Sequence, residues 1–393
     1  MEFQTRNKTR EKIFLIRSMP IITALLFFMA MPVWSAGPMI DGYTLDISQS
    51  GAVNSIRDGK FSDAILGEEK ALKIDEELKG PLHPSLVSLY DNLGTLYCYV
   101  ADYVKAEKDY KWALALTEQS FGANDPNIAG PLEYLAGLYN DMSRLAEAEL
   151  AAKRALTLRE SDPSLDPLIL AQTQCLLGQI ELNFHKYSQA QELLQKALTA
   201  AEKSSPVNPD FSIALLNLLA RTCQLENNAT QAQSCLEKSL NISQKNFHAD
   251  DIRVSDAMTR LADFFHGRGS DQKAQSLYAS AFKIDQRYVG SVYTYQSLPY
   301  LKRMAKAYFT TGDIQSSETL WLKTLQTEKE VYNPNHPQVA LDLIQLAQVE
   351  SASGKKQEAA KNLKQSIEIL KGYFSDDHPL IVQAQTQLGK LEK

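Results

Sequence analysis

The chain has 393 residues, 41 Lys and Arg against 47 Asp and Glu, and a hydrophobic fraction of 44%. A formal charge of −6 and a pI near 5.7 exclude a general nucleic-acid binder, which needs a basic surface to displace phosphate counterions. The ordinary apolar and charged fractions exclude bulk disorder, and four Cys are too few for a disulfide scaffold.

The first 35 residues read as a targeting segment. Arg6, Lys8, Arg10, Lys12 and Arg17 oppose only Glu2 and Glu11, and an apolar run from Met19 to Trp34 follows. Val33-Trp34-Ser35 then suits a signal peptidase, with cleavage before Ala36. The run is short for a spanning helix, which needs about 20 residues, and no Cys follows it to accept a lipoprotein anchor. Cleavage would leave a soluble, exported chain. The alternative is an uncleaved membrane anchor over residues 13–34. Shedding five basic and two acidic residues takes the balance to 36 against 45, a mature charge near −9. Residues 36–51 read as a linker and irregular N-terminal cap, because Ser48-Gln49-Ser50-Gly51 sits where a first helix should run.

From residue 52 onward the chain repeats. Ala64, Ala106, Ala148, Ala190, Ala232 and Ala274 recur every 42 residues; after one inserted residue Ser317 and Ala359 continue the series. A column of Leu93, Leu135, Leu177, Leu219, Leu261, Met304, Leu346 and Leu388 runs alongside. It is followed each time by a small residue, from Gly94 and Ala136 to Ala347 and Gly389. Within a unit, apolar and small residues fall three, four and seven apart, the stripe of an α-helix. Leu93-Gly94 with Leu96-Tyr97 marks one helix, and Ala106, Tyr110 and Ala113-Leu114 a second. The small residues let the two backbones approach. Turn signals such as Gly267-Arg268-Gly269, Thr311-Gly312-Asp313 and Ser353-Gly354-Lys355 join the pair. Units open on His83-Pro84, Asp125-Pro126, Asp166-Pro167, Asn208-Pro209, His336-Pro337 and His378-Pro379; Pro suits a first helical turn, and Asp or Asn before it can cap.

These columns resemble the tetratricopeptide repeat, and the 42-residue length with His-Pro at the unit start is most similar to the repeats of kinesin light chain. The resemblance covers about residues 52–393. It implies an all-α, right-handed superhelical solenoid of stacked helix-turn-helix units, with first helices lining a concave groove that binds peptides. A unit cannot bury its apolar face alone, so residues 52–377 are expected to form one cooperative array. Residues 378–393 are expected to form a capping helix, with Leu388 inward and Gln383, Gln387 and Lys390 outward.

The positions two before and two after the Leu column lie off the packing stripe, and the resemblance puts them on the groove. Among them and their neighbours, Asp91, Asn92, Thr95, Glu133, Asn217, Arg221, Lys302, Arg303 and Lys306 are the candidate partner-binding residues. Acidic residues gather early, and the later cations could hold a carboxylate through charge-assisted bonds. The bland alternative is ordinary solvated helix surface. Kinesin light chain holds a peptide backbone with asparagines beside the Leu column; Asn92 matches that position, Asn217 adjoins it, and later units lack it. Tyr97, Tyr139, Phe265 and Tyr308 share a column that reads as core packing rather than a stacking strip. Glu181, Cys223 and Glu350 interrupt it, by looser packing or by turning outward.

Catalytic patterns are missing from the sequence. There is no His-Glu-x-x-His, no Cys-x-x-Cys and no phosphate-binding Gly-rich loop, so no enzyme, metal or cofactor is expected. Cys223 and Cys235 fall in one hairpin, where a bridge is one reading; their heights along the two helices differ by about a turn, which favours separate thiols. Asn228-Ala229-Thr230 and Asn241-Ile242-Ser243 match glycosylation sequons. The expected function is a non-enzymatic exported scaffold, periplasmic or secreted, that binds a protein or peptide and no nucleic acid. The alternatives are a structural or assembly subunit of an envelope complex and a membrane-anchored adaptor.

Overall fold

The computed structural model describes residue 55 and residues 59–392, apart from 163, 205–206 and 289–294. The targeting segment, the linker and the first helix of the first unit therefore lie outside the described residues. Sixteen α-helices and no strand occur among those described. The second helix of the first unit, α1 (Phe61–Lys79), comes first. Seven antiparallel pairs follow: α2 (Val87–Tyr99) with α3 (Tyr103–Phe121), α4 (Ala129–Asp141) with α5 (Leu145–Glu160), α6 (Pro167–Asn183) with α7 (Tyr187–Lys203), and α8 (Pro209–Leu225) with α9 (Ala229–Asn246). Then come α10 (Ile252–Gly267) with α11 (Asp271–Tyr288), α12 (Leu298–Thr311) with α13 (Ile314–Val331), and α14 (Pro337–Ala352) with α15 (Lys356–Lys371). α16 (Pro379–Leu391) closes the stack. No described helix is long and apolar enough to cross a membrane.

Local chemistry sets each boundary. Asp125, Asp166, Asn208 and Asp251 accept a backbone N–H at their helix starts, as capping requires. The histidines of the His-Pro pairs do the same through Nδ1: His83 toward Ser85, His336 toward Gln338 and His378 toward Leu380. An imidazole thus replaces the Asp or Asn acceptor, a role the spacing alone did not reveal. The turn between paired helices places one residue per unit in the left-handed region: Gly59, Ala101, Ser143, His185, Asn227, Gly269, Gly312 and Gly354, with φ from +57° to +91°. At Gly94 a Cβ would stand 2.5 Å from the Tyr110 ring, and at Gly178 2.9 Å from Leu194. The small column is therefore enforced by contact between paired helices.

First helices lie inside and second helices outside. Tyr90 to Cys98 of α2 are buried without a break, whereas α3 buries a single stripe of Tyr103, Ala106, Asp109, Tyr110, Ala113, Leu116 and Thr117. Continuous burial means that α2 is enclosed on the side away from its partner as well. Leu380, Ile381 and Ala384 of α16 are buried and Leu388 packs on the same core, while Lys390 is exposed.

The superhelix also touches itself. The turn after each early first helix meets the loop before a helix six or seven units later. Phe61 stacks on Tyr332 at 5.9 Å and meets the edge of Tyr295 at 5.5 Å. Tyr103 meets Tyr373 edge-on at 6.0 Å. Ser143 Oγ lies 2.9 Å from His378 Nε2, and His336 faces the backbone of Tyr99. Tyr332 stacks on His336 at 4.3 Å and Phe374 on His378 at 4.2 Å, which completes an aromatic seam between successive turns. Burial holds the His336 pKa down at about 4 and lowers that of His378. His83 caps the same way, yet it is exposed, with no earlier turn of the described array beneath it.

Candidate functional site: the inner face of the array

The accessible part of the inner face is a stripe at spacing i, i+4, i+7, one side of a helix. It comprises Ala214, Leu218 and Arg221 on α8, Arg303 and Lys306 with Pro299 on α12, and Leu341, Gln345 and Gln348 on α14; on α10 it comprises Asp256 and Arg260, with Asp263 buried at its end. The stripe lies five before, one before and two after the Leu column. The expectation of two before and two after therefore needs correction at its earlier set. Asp91, Glu133, Cys175, Thr259 and Ile344 are buried against neighbouring helices, and only Asn217 and Lys302 keep partial exposure. Helical neighbours three and four apart share a face, which makes the residue before the Leu the better guide. By that rule sequence reasoning should have found Arg260 and Asp256.

The early candidates are structural. Thr95 is fully buried; its hydroxyl donates to the Asp91 carbonyl at 2.9 Å and lies 2.9 Å from the Tyr110 hydroxyl. Burial raises the Asp91 pKa well above the usual carboxylate range, and its Oδ1 has no hydrogen-bond partner. Asn92 is buried. Glu133 accepts from Arg159 at 3.1 and 3.2 Å and from Thr173 at 2.5 Å, which ties α4, α5 and α6 together. Asn217 accepts from Ser239 at 2.9 Å.

The later cations sit in a ladder of ion pairs. Lys306 reaches Asp263 at 2.7 Å, one unit earlier. Arg303 reaches Asp285 at 3.0 Å and Asp256 at 3.8 Å, and Arg260 pairs with Asp256 at 2.7 Å. Lys302 lies 2.5 Å from Glu328 and 3.0 Å from Asp342. Burial works against the Lys302 ammonium, but the two carboxylates outweigh it and raise its pKa. Glu328 is pushed up well above its usual value, by burial first and then by Asp342. Lys302, Arg303 and Lys306 are thus engaged internally rather than forming a bare basic patch. On the accessible stripe, Arg221, Arg260, Arg303 and Lys306 still outnumber Asp256 and Asp263. Burial first, and then the Arg260 guanidinium, lower the Arg221 pKa.

Other features place themselves elsewhere. The Tyr97 and Tyr139 hydroxyls donate to Glu69 and Glu107 at 2.5 and 3.1 Å, and both rings lie in the core. Glu181 and Glu350, which interrupt that column, stay buried, paired with Lys186 at 3.2 Å and Asn362 at 2.8 Å. A cleft of about 840 Å³ between the end of α5, α6 and α7 includes Gln174, whose buried Oε1 lacks a partner. Among the described residues, no three His, Cys, Asp or Glu converge to hold a metal ion.

The sequence matches the tetratricopeptide repeat over residues 86–127, 211–287 and 296–372. Yeast Tom70 shares the fold at 16% identity and a TM-score of 0.54, over 98% of this chain and 72% of that one. The apo form of RapI does so at 13% identity and a TM-score of 0.52, over 72% and 97%. A putative kinesin light chain of Podosopora anserina with nearly identical TPR-like repeats is 23% identical over 52% of this chain and 96% of its own, with a TM-score of 0.39. No curated protein is significantly similar in sequence.

Proposed function

The chain belongs to the tetratricopeptide-repeat family, and from that premise we propose that it is an exported, non-enzymatic scaffold that binds one polypeptide partner along its inner face. Members of such a family present side chains from a rigid curved stack, so affinity comes from complementarity and preorganisation with no bond chemistry. The site extends over α8, α10 and α12, where Asn217, Arg221, Lys302, Arg303 and Lys306 lie with Arg260. Asp91, Asn92, Thr95 and Glu133 shape the earlier part of the same wall. The partner segment is acidic or ends in a carboxylate.

The observation that supports this reading is the charge of the accessible stripe, where Arg221, Arg260, Arg303 and Lys306 outnumber Asp256 and Asp263, so an incoming carboxylate meets more cations than anions. Export rests on the basic and then apolar N-terminus, and N-terminal sequencing of the processed protein decides between cleavage before Ala36 and an anchor. Affinity capture from the native extracellular or periplasmic fraction, followed by peptide mapping, tests the function. The captured segment should carry clustered carboxylates, and Arg221→Glu with Arg260→Glu should weaken its binding at least tenfold with helicity unchanged. Unchanged affinity would remove the inner stripe from consideration.

A further inference from the structure

Two of the His-Pro caps lie under an earlier turn of the superhelix. His336 and His378 keep 5% and 8% of their surface, whereas Asp125, Asp166, Asn208 and Asp251, which cap in the same place, are half-buried or exposed. The cap fixes where each ring carries its proton. Nδ1 accepts a backbone N–H, from Gln338 at 3.1 Å and from Leu380 at 3.3 Å, so the ring proton sits on Nε2. At His378 that Nε2–H donates to Ser143 Oγ, 2.9 Å away in the turn after α4. At His336 the ring ends a stack of four: Tyr332 lies 4.3 Å from it, Phe61 5.9 Å from Tyr332, and Tyr99 5.1 Å from Phe61. A charged imidazole has two N–H groups and no acceptor. On either ring the added proton would land on Nδ1, against the backbone N–H that it caps, and the new charge would be cut off from water. The closed seam therefore holds only neutral rings. His83 makes the same cap to Ser85 at 3.2 Å from an exposed position, where a charged ring is hydrated.

We propose that the seam is an acid-released latch between successive turns: protonation of His336 and His378 parts α1 and the turns after α2 and α4 from the loops before α14 and α16, and the superhelix opens with its hairpins intact. The surrounding groups set the sign. Burial holds the His336 pKa down at about 4; the Tyr99 backbone opposes this and the Lys302 ammonium adds to it. Burial lowers that of His378 against the pull of Asp377. Asp102 and Asp141 act on the Tyr103–Tyr373 contact of the same seam, and burial raises Asp141 to about 7, so it is largely neutral in acid. In the open form both rings are hydrated and return to the ordinary value near 6.5. Closed values below that mean that closure is favoured above about pH 6.5 and loses ground as pH falls. Each opening takes up two protons, so its equilibrium constant rises by up to about a hundredfold per pH unit. The latch depends neither on export nor on the inner-face partner.

The test follows the full chain from about pH 8 to about pH 4 by small-angle X-ray scattering and far-ultraviolet circular dichroism. The radius of gyration should rise in one step below about pH 6.5 while helicity holds. In His336→Asn with His378→Asn the asparagines still cap, as Asn208 does, and take up no proton, so the step should vanish. Proton NMR of the wild type gives a second readout, decisive if the double variant does not fold: two of the six histidines should titrate together with the expansion and below the other four. A constant radius down to about pH 4, helicity lost in the same step, a double variant that keeps the step, or six histidines that all titrate near the ordinary value would overturn the proposal.

Discussion

The tie between Glu133, Arg159 and Thr173 spans three helices and two units. Its parts are unequally exposed: the Glu133 side chain keeps 3% of its surface and that of Arg159 17%. Removing either partner deletes the same contact and leaves different debris. Arg159→Ala strands a carboxylate in the interior with only the Thr173 hydroxyl for company, a change that costs about 3–5 kcal/mol. In Glu133→Ala, Arg159 is free to swing its guanidinium into water, and Thr173 keeps its bond to the Ile169 carbonyl at 3.2 Å. That loss should be about 1–2 kcal/mol. Replacing both by Leu removes the stranded charge and should recover most of the stability, as buried ion pairs exchanged for apolar side chains do. Urea unfolding followed by helical circular dichroism measures each step. Equal costs for the two alanine variants, or a larger cost for Glu133→Ala, would refute the reasoning.

Gly94→Ala should destabilise by about 1–3 kcal/mol in the same assay despite alanine's better helix propensity, because its methyl meets the Tyr110 ring. Two glycines in open space should respond with opposite signs. Gly354→Ala, at φ +84°, should cost about 1 kcal/mol, and Gly389→Ala within α16 should gain up to about 1 kcal/mol. For pH, the folded His336 pKa near 4 lies below the ordinary value of 6.5. Its stabilising contribution is therefore complete above about pH 6.5 and is lost as pH falls toward 4, by about 3 kcal/mol in all. His336→Asn keeps a capping acceptor and should flatten that part of the stability–pH curve; an unchanged difference from pH 7 to 4 would contradict the assignment.

The stack was legible because its signal is local and repeated. Tyr110 against Gly94, or Leu194 against Gly178, records a contact inside one hairpin, and eight copies of the column make the pattern plain. The positions two after the Leu column, such as Arg221 and Lys306, lie on the open side, while most of those two before it are packed. The Leu column marks the packed edge, and Leu218, Arg260 and Arg303, immediately before it, face the open side; a one-dimensional column does not report which flank a neighbouring unit covers. The ion-pair ladder escaped for a related reason. Lys302, Arg303 and Lys306 look like a basic run in sequence, while their partners Glu328, Asp342, Asp285 and Asp263 arrive from other helices. His378 and Ser143 are 235 positions apart, beyond any helical period.

That last contact changes what kind of object the array is. An open solenoid tolerates the gain or loss of a whole repeat, since each brick knows only its two neighbours. Here Phe61, Tyr103 and Ser143 must arrive opposite Tyr332, Tyr373 and His378, so excising one 42-residue unit from the middle would shift every pairing out of step. The number of repeats becomes a structural constant, set by circumference like the staves of a barrel.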